Sequence, residues 1–90
     1  MSESGWRVYR KASIGGWGEM VGEATNSEDA NAVMLKYARK DASAMRKLFP
    51  GRDVQVIKTG SGTVPYSADG YELQVSGEPA MWYWAFAKQE

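Results

Sequence analysis

Apolar and polar positions alternate along four stretches of this chain, follow a longer period along one, and run together as an aromatic-rich apolar stretch in "AMWYWAFAK" (80–88). In "WRVYRKA" (6–12), Trp6, Val8 and Ala12 fall to one side and Arg7, Tyr9 and Lys11 to the other. A period of two with aromatic and β-branched residues predicts a strand. Gly15-Gly16 follows and supplies the positive φ of a hairpin turn. A second strand is predicted over 18–25, with Met20, Gly22 and Ala24 facing one way and Trp17, Glu19, Val21 and Glu23 the other.

Between 25 and 51 the period lengthens. Ala30, Met34, Tyr37, Ala38, Met45, Leu48 and Phe49 fall on one arc at 100° per residue, flanked by Val33 and Ala44. A helix over about 27–48 follows. Ser27 is the expected N-cap, with Thr25 and Glu28 as an alternative capping-box start. Glu28 and Asp29 suit the positive end of the helix dipole and Arg46 and Lys47 the negative end. Pro50 and Gly51 end the element.

Three further strands are predicted. Over 53–59, Val54 and Val56 alternate with Gln55 and Ile57; over 71–77, Tyr71, Leu73 and Val75 point inward against Glu72 and Gln74. The last covers 80–88, with "GEP" as the turn before it. The stretch between, "GSGTVPYSADG" (60–70), reads as loop. The order ββαβββ predicts an α+β fold: one antiparallel sheet of about five strands with one long helix packed on one face. Residues 1–90 form a single domain on this reading, with no internal repeat or linker.

A lone helix covers one side of a sheet, so the phase of each strand matters. In 80–88, Trp82, Trp84 and Phe86 share one face and Met81, Tyr83, Ala85 and Ala87 the other. The small, flexible helix arc offers room for rings. Trp82, Trp84 and Phe86 are therefore expected under the helix with Val8, Val54, Val56, Leu73 and Val75. Tyr9, Trp17, Val21, Ile57, Met81 and Tyr83 are then left on an open face, more aromatic than a wet face requires. An apolar patch rimmed by charge marks a contact, here a protein partner or a second copy in a homodimer. Closure by Val64, Pro65 and Tyr66 of the 60–70 loop, or a scattering of the rings, is the competing reading.

Charge sharpens the picture of the helix. The chain is neutral overall, but residues 30–52 carry Lys36, Arg39, Lys40, Arg46, Lys47 and Arg52 against Asp41 alone. Both flanking segments are acidic. The arc opposite the apolar one holds Lys36, Arg39, Lys40, Arg46 and Lys47, a face for phosphate or for an acidic protein. Net neutrality argues against strong nonspecific DNA binding. A stacking platform of Tyr9, Trp17 and Tyr83 beside Arg7 and Lys11 would suit single strands. Glu19, Glu23 and Glu72 on that face repel a phosphate backbone, and no RNP-type spacing is present.

Chemistry is thinly represented. With no His and no Cys, the chain lacks the usual general base, thiolate nucleophile and metal ligands. No catalytic, metal or cofactor site is expected, and the chain reads as no enzyme. Asp41 falls near the middle of the apolar arc; a pairing with Arg10 or Lys11, or a place where the helix overhangs the sheet edge, explains it better than a catalytic acid without a base. "GSGT" (60–63) lacks the strand–loop–helix context of a phosphate loop. "MSESGWR" resembles no signal peptide and no apolar run approaches the ~20 residues of a membrane span, so a cytoplasmic location is expected. In size and style, though not in residues, the chain is similar to small accessory and inhibitor proteins of phages and mobile elements. The expected function is that of a noncatalytic binding module acting on another protein, one form being an inhibitor of a nucleic-acid-handling complex. The second choice is a small nucleic-acid-binding protein using the basic helix face.

Overall fold

Each alternating stretch forms a strand. The computed structural model describes residues 5–14, 18–59 and 70–87. Its elements are β1 (Trp6–Ala12), β2 (Glu19–Ala24), α1 (Ser27–Leu48), β3 (Val54–Thr59), β4 (Gly70–Val75) and β5 (Glu78–Ala87). They build one antiparallel sheet in the order β2-β1-β5-β4-β3, with α1 on one face.

The helix starts one residue earlier in its cap than expected. Asn26, not Ser27, takes the cap: its Oδ1 accepts the Asp29 N–H at 2.8 Å. The Thr25 hydroxyl donates to Asp29 Oδ2 at 2.7 Å and tightens the same turn. At the other end the Phe49 N–H closes on the Met45 carbonyl, and Gly51, at φ 90°, turns the chain away.

Ala30, Ala38 and Ala42 are buried and bring the helix close to the sheet, where Val8, Val54, Leu73, Tyr83 and Ala85 meet them, with Met34 and Tyr71 completing the core. Val56 and Val75 pack against its margin. Twenty-two helical residues span about 33 Å, while the six residues of β3 or β4 span about 20 Å. The last turn therefore overhangs. Leu48 and Phe49, expected in the core, are 69% and 43% exposed.

Strand β5 carries the main correction. Residues opposite one another in an antiparallel ladder share a face. Ala85 lies opposite Val8, and Tyr83 opposite Arg10 and Tyr71, all on the helix side. Trp82, Trp84 and Phe86 lie opposite Lys11, Tyr9 and Arg7 on the reverse side. The three rings expected under the helix are thus on the other face. Ala38 and Ala42 bring the middle of the helix close to the sheet over Tyr83 and Ala85, and Tyr83 brings a hydroxyl that the inward carboxylate of Asp41 accepts. Because both faces of β5 are apolar, alternation alone could not set its phase, and a shift of one residue exchanges every side chain.

Two irregularities complete the sheet. Val8 pairs with Gly22 and Tyr9 with Met20, leaving Val21 as the extra residue of a β-bulge. The bulge sends Val21 to the core side, Glu19 toward Arg10 and Met20 to the reverse face. The turn before β5 is Ser76-Gly77 rather than "GEP", with φ 55° and 81° as a type I′ hairpin needs. Pro79 lies inside β5 beside a register shift, where the missing N–H is tolerated.

Candidate interaction surfaces

The amphipathic period of α1 fixes the first surface. With Ala30, Met34, Ala38 and Ala42 turned to the sheet, Lys36, Arg39, Lys40, Arg46 and Lys47 are all exposed on the outer side. Arg46 donates from Nη2 to the Val54 carbonyl at 3.1 Å. Among the described residues, Lys36, Arg39, Lys40 and Lys47 enter no ion pair. The five residues named from sequence therefore do come together on one side.

Asp41 explains why the stretch from Lys36 to Lys47 has a single sign on that side. It is turned inward. Arg10 Nη1 donates to both its oxygens, at 3.0 and 2.8 Å, and the Tyr83 hydroxyl donates to Oδ2 at 2.7 Å. Arg10 also sits 3.6 Å from Glu19 through Nε and 5.9 Å from the Tyr37 ring centre. Burial pulls the Arg10 guanidinium down, but the hydrogen bond and charge of Asp41, with Glu19, outweigh it and leave its pKa raised. Burial, then the bond to Asp41 and its negative charge, hold the Tyr83 hydroxyl well above the ordinary tyrosine value, against the opposing charge of Arg10. The group locks helix to sheet. It offers no base beside an acid, since each partner is engaged by the next.

The open face named from sequence does not assemble. Tyr9 and Ile57 lie on the reverse side, but Val21, Met81 and Tyr83 lie on the helix side, and Tyr83 is 0% exposed. Trp17, the Val64-Pro65-Tyr66 lid and "GSGT" fall outside the described residues.

What the reverse face holds instead is a packed ring layer. Tyr9 stacks on Trp84 at 5.8 Å with 13° between planes, and Phe86 meets Tyr9 edge-on at 6.3 Å. Trp84 is only 1% exposed. Beside it, Trp82 Nε1 donates to Glu72 Oε1 at 3.0 Å, Gln74 Nε2 donates to Glu72 Oε2 at 2.6 Å, and Lys11 Nζ lies 5.7 Å from the Trp82 ring centre. Glu72 and Thr59 are buried as well. The middle of this face is shielded, and its exposed large apolar side chains are Met20 and Phe86. Sequence reading missed this layer with the phase of β5; a signal was available in Asp41, whose need for a donor favours Tyr83 on the helix side.

Among the described residues no group of three potential ligands gathers around a metal position, and no helix is long and apolar enough to cross a membrane. Comparison with protein-family models, curated proteins and solved structures finds no match.

Proposed function

We propose that the chain is a noncatalytic cytoplasmic binding module that acts by occupying an acidic surface of another protein, with the outer face of α1 as its main contact. One observation carries the reading. The only acid of residues 30–52, Asp41, is engaged by Arg10 and Tyr83, so from Lys36 to Lys47 five exposed cations stand together with no exposed acid between them. Like charges at i,i+4, as in Lys36 and Lys40, cost an isolated helix a few tenths of a kcal/mol, a cost offset when a partner supplies the opposite sign. An inhibitor of a nucleic-acid-handling complex, on the scale of those that phages and mobile elements encode, is one concrete form.

The same five cations favour a second reading, a small nucleic-acid-binding protein. The test separates them. Wild-type chain and the Lys36→Glu, Arg39→Glu, Lys40→Glu variant are each used to capture partners from nuclease-treated host extract, and each is titrated with duplex and single-stranded DNA over a salt series. Capture of one protein by the wild type and not by the variant, with weak DNA binding, supports the first reading. A steep log–log salt slope on DNA, lost in the variant, transfers the function to the second. Equal behaviour of the two chains in every arm refutes both.

A further inference from the structure

The two edges of the sheet are built differently. Edge strand β2 is interrupted by the bulge at Val21 and carries Glu19 and Glu23, each paired with an arginine of β1. Edge strand β3 has neither device. Its six residues, "VQVIKT", keep one register with β4 from Val54 to Thr59; four are β-branched, none is proline or glycine, and Lys58 is the one charge. A regular edge with unpaired backbone groups is a template for another strand.

The register says which groups those are. The Ser76 N–H donates to the Asp53 carbonyl at 2.7 Å, one step beyond the Val54–Val75 pair. In an antiparallel ladder, alternate residues turn both backbone groups to the same neighbour. Asp53, Gln55, Ile57 and Thr59 therefore face β4, and Val54, Val56 and Lys58 turn their groups outward. The Val54 carbonyl agrees with this parity, since it accepts from Arg46 Nη2 of α1 at 3.1 Å. Among the described residues no strand pairs with the outward groups of Val56 and Lys58.

We infer that β3 receives an extended acidic segment of the partner protein as a sixth strand. The inference rests on the protein-binding reading above and names the element that binds. The unpaired ladder calls for a strand, and the charges beside it set its sign. Residues seven apart lie on the same side of a helix, so Arg39 precedes Arg46 by two turns on the flank of α1 that borders β3. Lys58 projects on the helix side of the sheet with Val54 and Val56. All three cations are exposed. The nearest acids lie elsewhere: Asp53 alternates to the reverse side, where Gln55 Nε2 donates to it at 2.7 Å, and Glu72 is buried. The added strand therefore carries Asp or Glu at its helix-side positions, opposite Val56 and Lys58, and apolar residues at the alternate positions beside half-buried Ile57. A second copy is the wrong occupant. Antiparallel pairing of β3 with β3 about a two-fold axis keeps both helices on one side and sets Arg39, Arg46 and Lys58 against their own copies. A polynucleotide has no matching ladder of N–H and C=O groups to offer.

The test uses the capped peptide GEVEVEVEG, its lysine counterpart GKVKVKVKG, and amide hydrogen exchange of the folded chain read by NMR. The acidic peptide is expected to bind the wild-type chain at least tenfold tighter than the lysine one. It should slow exchange at the Val54, Val56 and Lys58 amides and leave those of Gln55, Ile57 and Thr59, already bonded to β4, little changed. Lys58→Glu, a substitution at an exposed position, should weaken the acidic peptide at least fivefold. Equal affinities for the two peptides, no binding of either, or slowing confined to other amides overturns the inference. So does slowing at those three amides that grows with chain concentration in the absence of peptide, which gives the edge to a second copy. In each of these cases, capture of a partner through α1 leaves the function reading standing. Failure of that capture as well removes both.

Discussion

Removing the Tyr83 hydroxyl tests the phase of β5 and the lock on Asp41 together. Tyr83→Phe keeps the ring, so no cavity opens, and deletes one donor to a carboxylate at 2.7 Å from a residue that is 0% exposed. Hydrogen bonds to charged groups contribute about 1.5–3 kcal/mol. Asp41 keeps both contacts from Arg10 Nη1, so the carboxylate is not orphaned and the loss belongs at the lower end, about 1.5 kcal/mol. For a domain of this size that is roughly 6–12 °C in Tm. Tyr9→Phe is the control: Tyr9 stacks on Trp84 and makes no hydrogen bond among the described residues, so its hydroxyl should be worth less than about 0.5 kcal/mol. Urea unfolding followed by circular dichroism reads both. A pH series adds a second signature. The folded chain keeps a tyrosine proton that the unfolded chain loses near pH ~10. The wild-type advantage over Tyr83→Phe is thus full below that pH and shrinks as pH rises above it. Equal stabilities of Tyr83→Phe and wild type would put Tyr83 outside the helix–sheet interface and refute the reasoning.

Other expectations follow from single positions. Gly70 faces the Tyr83 carbonyl so closely that any Cβ collides with backbone; Gly70→Ala should cost at least the upper part of about 1–3 kcal/mol in urea unfolding, and a neutral result would contradict the β4–β5 packing. Asn26→Ala should lose about 1 kcal/mol while Ser27→Ala stays within roughly 0.5 kcal/mol, and the reverse order would return the cap to Ser27.

The sequence made the elements and their order legible because each buries one stripe of its own. The helix declared itself through Ala30, Met34 and Ala38, and its basic side through the absence of interleaved acids. Asp41 was legible as well: a carboxylate among apolar positions needs a donor, and Arg10 was one of two candidates. The phase of β5 was not legible in its own alternation, since Met81, Tyr83 and Ala85 are nearly as apolar as Trp82, Trp84 and Phe86. What settles it is the approach of Ala38 and Ala42 over Tyr83 and Ala85, a property of the packed pair rather than of either segment. Val21 escaped for a related reason, because a bulge changes the parity of β2 without any local mark. Leu48 and Phe49 continue the apolar arc faithfully, but no period records where the sheet beneath them ends.

The most direct measurement is a ¹⁵N–¹H shift map of the chain on adding the partner that the charge-reversed variant fails to capture. Perturbed amides should run along α1 from Lys36 to Lys47. Perturbation confined to Tyr9, Ile57 and Phe86, with α1 silent, would contradict the assignment of function to the basic face.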